Sequence, residues 1–184
     1  MKSKKWTLLA TSLTAMVLMA ACSQSTTTST TNETTNSSTT TETKTNQSSY
    51  FTEKDNDTSY DESTASKIEL SGSSANVSGD GVTVSESTVT ITKSGTYVIS
   101  GQSDGVQIKV KADKSADVHL VLKGTTMTNT NAAISATSAG HVYLTLAEET
   151  TNSLSDSSSN SDEKADAALF SKVDLTINGK GTLN

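Results

Sequence analysis

Residues 142–146 read Val-Tyr-Leu-Thr-Leu, and the same order of side chains recurs at 118–122 (Val-His-Leu-Val-Leu) and 173–177 (Val-Asp-Leu-Thr-Ile). In each copy the first, third and fifth residues are branched and apolar, while the second and fourth are mostly polar. An alternation of period two places successive side chains on opposite faces of a β-strand. One such strand about every 24–31 residues predicts a coil repeated along an axis. The expected fold is therefore all-β, a parallel β-helix in which the three pentapeptides stack directly over one another.

The flanking pattern fills out the coils. One runs from 106–110 through 118–122 to 127–131, the next from 132–136 through 142–146 to 152–156, and the third from 167–172 through 173–177 to 181–184. That is three short strands per turn. Ala132, Ala133, Ala167 and Ala168 suit tight corners, and the Thr and Asn residues of 125–131 suit polar ladders between coils. Shorter alternating stretches at 68–70, 82–84, 89–91 and 97–99, punctuated by Gly72, Gly79, Gly81, Gly95 and Gly101, read as strands of an N-terminal cap. Residues 157–166 are a polar, acidic insertion, expected as a loop on one face of the stack. The last coil is broken off at Asn184, so the β-helix is expected to be truncated at its C-terminal end and the chain to be a fragment of a longer protein.

Composition agrees with strands. The 184 residues include no Pro and no Arg, few aromatics, and abundant Ser and Thr. β-branched Thr and Val favour strands and Ser favours turns. The formal net charge is −6, and an acidic chain without Arg is a poor partner for nucleic acid. Residues 1–5 are basic and 6–19 mostly apolar, the layout of a secretory signal too short for a comfortable membrane span. Met19-Ala20-Ala21-Cys22 resembles a lipobox, which implies cleavage before Cys22 and a lipid on its sulfur. Two acyl chains there anchor a protein stably to a membrane. Cys22 is the one cysteine, so no disulfide forms within the chain. Loss of Lys2, Lys4 and Lys5 with the signal deepens the net charge to −9. Residues 22–66 have too little apolar surface to offset ordering entropy and are expected to be a disordered tether, about 35–40 Å in root-mean-square reach. The organisation is thus a signal peptide over 1–21, a lipid-anchored linker over 22–66 and the β-helix over 67–184, placed on the extracellular face of a bacterial membrane.

From residue 95 onward the chain resembles a known family. The stretch Gly95-Thr96-Tyr97-Val98-Ile99-Ser100-Gly101, the strand at 118–122, Ala132-Ala133-Ile134, Leu146-Ala147-Glu148 and, above all, residues 167–181 (Ala-Ala-Leu-Phe-Ser-Lys-Val-Asp-Leu-Thr-Ile-Asn-Gly-Lys-Gly) carry the likeness, in matching order. The family is that of bacterial carbohydrate-binding domains typified by a clostridial cellulose- and pectin-binding cell-surface protein. The resemblance implies a right-handed parallel β-helix related to polysaccharide lyases, bound calcium, and binding of acidic or β-linked polysaccharide without established catalysis. It also marks departures. Asn129-Thr130-Asn131 and Val173 stand where the family carries acidic residues, which implies weaker or missing calcium sites there.

Calcium takes about six to eight oxygens. Acidic residues of the insertion and of the strand after it, Asp166 and Asp174 first and then Asp162 and Asp156, are the expected ligands, with Glu163 nearby. Their spacing matches no EF-hand. If the three pentapeptides align at their first valines, His119, Tyr143 and Asp174 form one outward column, about 4.8 Å from strand to strand. His119 and Tyr143 are then expected to hold a sugar by stacking and hydrogen bonds. Catalytic residues are not expected: neither histidine lies in a nucleophile motif, and no Gly-x-Ser-x-Gly or His-Glu-x-x-His is present. The enzymatic alternative is calcium-assisted pectate elimination with Lys109, Lys123, Lys172 or Lys180 as base. The remaining alternative is a surface adhesin that binds protein.

Overall fold

A computed structural model describes residues 50–157 and 164–184. A single turn of helix, α1 (Glu53–Asn56), precedes the strands β1 (Ser66–Gly72), β2 (Ser74–Ser78), β3 (Val82–Ser85), β4 (Thr88–Ile91), β5 (Gly95–Asp104), β6 (Gln107–Lys111) and β7 (Asp117–Thr128). They are followed by β8 (Ile134–Ser138), β9 (His141–Leu146), β10 (Thr151–Ser155), β11 (Leu169–Ser171), β12 (Asp174–Gly179) and β13 (Thr182–Leu183). The protein is all-β, as the alternation requires. None of its described helices is long and apolar enough to cross a membrane.

One sheet has the order β12-β9-β7-β5-β1-β2, joined through β7 by β10 and then β13; the other has the order β11-β8-β6-β4-β3. From β4 onward the neighbours pair in parallel. The two N-terminal hairpins, β1–β2 and β3–β4, are antiparallel, so both sheets are mixed. The first hairpin turns at Gly72 and the second at Glu86, both at positive φ, while Gly79 and Gly81, also at positive φ, lie in the link between the hairpins.

The interior is built from columns of alternate residues. Ile68, Ile99, Leu122 and Leu146 lie opposite one another on successive strands, as do Tyr97, Leu120, Leu144 and Ile177. Leu120, Leu122 and Leu144 are fully buried, each contributing about 1.5–3 kcal/mol through removal from water. Opposite them stand Val89, Ile108, Ile134 and Leu169 of the second sheet. A corner within β5 is turned at Gly101 (φ +89°), where the register with β7 shifts and an added Cβ would lie 2.3 Å from the Leu70 carbonyl oxygen. The polar ladder is present too: Thr125 N–H donates to Asn152 Oδ1 (2.9 Å), and Asn129 Nδ2 to the Gly105 carbonyl (2.9 Å), each spanning adjacent coils.

Two expectations are corrected. Val118 does lie opposite Val142, but the residue opposite Val142 on β12 is Leu175, not Val173. Val173 sits in the corner between β11 and β12, where Ser171 Oγ donates to its carbonyl at 2.7 Å. The slip is two residues, so every side chain keeps its face. The second correction concerns the tether. Its residues 50–66 are ordered, and the reason is local as well as tertiary. Thr52 caps α1 in a capping box with Asp55. Asp57 and Asp61 each accept from the backbone N–H and hydroxyl of the serine two residues on, Ser59 and Ser63, closing two Asx turns.

Candidate functional site

The outward faces of β5, β7, β9 and β12 form a polar and aromatic surface, and residues 54–65 run across it as a strap. Register fixes the surface. His119 lies opposite Tyr143 and Thr176, while Asp174 lies opposite His141 and Asp117. The expected column therefore holds for His119 and Tyr143 and fails for Asp174, because of the two-residue slip. Asp174 faces outward and is exposed, two residues away along the strand.

Each aromatic side chain on this face has defined partners. Tyr143 stacks on His141 (centroids 4.2 Å apart, 12° between planes) and carries the Lys54 ammonium at 5.0 Å from its ring centre. It is only 8% exposed. Lys54 also pairs with Asp117, which raises its pKa. Tyr60 meets His119 edge-on at 6.4 Å. Val98, Val121 and Ala147 make a small apolar floor beneath Tyr60 and Ala65.

Both histidines belong to hydrogen-bond chains that cross strands. His119 Nε2 lies 2.7 Å from Thr145 Oγ1, which donates to Asn178 Oδ1 at 2.6 Å. Asn178 Nδ2 donates in turn to the carbonyls of Asp55 and Asp57. His141 Nε2 lies 2.8 Å from Thr176 Oγ1, which donates to the Asp55 carboxylate at 2.5 Å. A hydroxyl has one proton to give. Since each threonine gives its own to the next acceptor, each histidine must carry its proton on Nε2 and donate. Burial pushes the His119 pKa down, keeping that ring neutral. The hydroxyls of Thr176 and Thr52 and the Thr52 backbone N–H hold the Asp55 carboxyl down at about 2.

His119 and Tyr143 share a cleft of about 210 Å³ with Thr96 and with Lys54, Asp57 and Ser59 of the strap. The expected sugar-binding pair is thus brought together at an opening, although the strap covers most of the tyrosine. Sequence reasoning missed His141, Thr176, Asn178 and the strap residues as members of this site. The one local signal for the strap was Thr52-Glu53-Lys54-Asp55, a capping-box spacing.

The expected calcium ligands fall on different stretches of the chain. Asp156 follows β10, Asp166 precedes β11 and Asp174 opens β12. Among the described residues, no three His, Cys, Asp or Glu side chains are grouped as they would be around a metal ion. Asp162, Glu163 and the lipidation residue Cys22 lie outside the described residues.

Comparison with known proteins adds the family. A family model described as carbohydrate-binding domain-containing protein matches residues 85–184. A carbohydrate-binding domain-containing protein of Acetivibrio thermocellus is 38% identical over 97 residues, which are 50% of this chain and 34% of that one. A solved structure, described as the polysaccharide lyase-like protein from C. thermocellum, gadolinium derivative, aligns at a TM-score of 0.59 and 37% identity. The alignment covers 65% of this chain and 51% of that chain. The chain spans about a third of the length of its curated relative and about half of the solved one. On the match over residues 85–184, this chain belongs to the carbohydrate-binding domain-containing protein family.

Proposed function

We propose that this chain is a non-catalytic polysaccharide-binding module of a lipid-anchored cell-surface protein, with a cellulose- or pectin-like glycan as ligand. The ordered part is read as coils of a right-handed parallel β-helix behind an antiparallel cap. Support comes from the parallel pairing after β4 and the known right-handed preference of parallel crossovers. Cys22 is proposed to carry the lipid, with the Ser- and Thr-rich residues behind it as a spacer on the extracellular face of the membrane.

One observation carries the binding reading: His119 and Tyr143, opposite each other in the β7–β9 register, open on a single cleft in a chain whose family is carbohydrate-binding. An aromatic ring beside a neutral imidazole and hydroxyls offers a stacking surface together with donors and acceptors. Elimination chemistry has little support. Lys123 is the one candidate base on the face with the cleft that also meets the strap, and its hydrogen bond to Glu62 raises its pKa. That keeps it an ammonium, which cannot accept a proton. Polygalacturonate incubated with the protein is expected to yield no unsaturated product.

The test is retention of the full chain on insoluble cellulose and pectin. Tyr143→Ala and His119→Ala are each expected to weaken retention by about 2 kcal/mol, as for a central contact, with melting curves confirming that the variants fold. Absence of retention on either polymer overturns the proposal. Calcium enters through the family resemblance alone. Retention that falls with EDTA and returns with added calcium supports it, and unchanged retention removes calcium while leaving glycan binding intact.

A further inference from the structure

Three clefts line the two flanks of the strap, and each has strap residues in its wall. One of about 280 Å³ lies between Tyr60, Lys123, Thr145 and Lys180; the 210 Å³ cleft holds His119 and Tyr143; one of about 180 Å³ lies between Glu62, Lys67 and Val98. All are smaller than the roughly 300–1,000 Å³ of ordinary ligand pockets, and a polysaccharide chain fits none of them. The strap is what divides them. Without residues 54–62 in place, the surface beneath is continuous from β12 to β5, about 14 Å across three strand spacings.

We propose that residues 54–65 act as a built-in stand-in for the ligand, occupying a groove that an extended glycan enters by displacing them. The inference rests on the glycan-binding reading and adds its regulation. What the strap offers the groove is what a sugar chain offers. Lys54 lies over the Tyr143 ring, the Asp55 carboxylate accepts from Thr176, and the Asp55 and Asp57 carbonyls accept from Asn178. Sugar hydroxyls can replace each of these acceptors, and a sugar ring can replace the lysine.

The strap is also built to leave. Helix α1 buries no residue. The ion pairs at its two ends, Lys54–Asp117 and Glu62–Lys123, join side chains that are 43–55% exposed, and exposed pairs hold weakly. Its Asx turns are internal to it and survive undocking. A segment held this way opens locally while the core stays folded.

The test uses the full-length chain with cellohexaose and hexagalacturonate as probes. When the competent state is a minority, affinity is reduced by its population. The double variant Lys54→Gln/Asp55→Ala, which loosens one end of the strap, is therefore expected to bind the preferred probe about tenfold more tightly. Glu62→Gln, which loosens the other end without touching β12, should shift affinity in the same direction. In the unaltered chain, the bound probe should speed amide exchange over residues 54–65. Unchanged or weaker binding by variants that melt like the parent, or slower exchange in the strap on binding, overturns the inference and leaves glycan binding standing. Failure of both probes to bind parent and variants alike overturns both.

Discussion

His119 and Thr145, like His141 and Thr176, form a diagonal pair between neighbouring parallel strands, with the imidazole donating to a hydroxyl that is already donating onward. Protonating His119 adds a second N–H without a second acceptor in that chain. For His119 the consequence has a definite sign. Its folded pKa is lowered by burial from 6.5, so the unfolded chain binds the proton more readily. Stability is then full above that ordinary value and declines as pH falls through 6.5 toward the lower folded value. Thermal melting between pH 8 and pH 5 is expected to show this decline, and His119→Gln, which does not titrate, should flatten it. Asp55 behaves in the opposite chemical sense with the same direction of loss. Its carboxylate is held near 2, so strap docking persists at any pH well above that. That residue 119 faces outward was legible from the alternation. Which ring nitrogen holds the proton was not, because the deciding acceptors, Thr145 and Asn178, come from two other strands.

At the level of the element, period-two alternation located nearly every strand from β3 to β13, since a strand buried on one face has to alternate. The short β2, Ser-Ala-Asn-Val-Ser, has too few apolar residues to register, and it forms because β1 offers an antiparallel edge. Register between coils was harder to read. Val173 and Leu175 are equally suited to face Val142, and the choice falls to a serine-stabilised corner. Corners are also where single substitutions cost most. At Gly101 a side chain would meet both the positive φ and the Leu70 carbonyl of the adjacent coil. Gly101→Ala is expected to cost about 3 kcal/mol, measured by denaturant unfolding. Gly105→Ala, with positive φ but open space around it, should cost about 1 kcal/mol.

At the level of the whole molecule, burial falls off along the stack. Leu120, Leu122 and Leu144 are fully enclosed, whereas Leu175 and Leu183 are only partly buried and Ile177 is 50% exposed. Local opening follows burial, so amide exchange is expected to be slowest in β7 and β9 and faster in β12 and β13; uniform protection would contradict this. The same gradient links the strap to the fold, because Asp55 docks on β12. Loosening the strap should therefore speed exchange in β12 more than in β7.

Strand positions, inward and outward faces, the polar ladder and the family likeness were all present in the order of residues, because period-two burial and corner glycines are local demands. The expectation of a featureless linker over 50–66 followed from the same local logic and was wrong. That segment is too polar to build a core, and it is held instead by partners as distant as 63 and 123 residues along the chain. Contacts of that range carry no periodic signature; they exist only once stacked strands have brought Asp117, Tyr143, Thr176 and Asn178 onto one surface. The pairing of His119 with Tyr143 needed one aligned register and could be foreseen. The exclusion of Asp174, and the strap lying over the cleft, depended on the folded arrangement, where a two-residue slip and a few polar contacts decide what the surface presents.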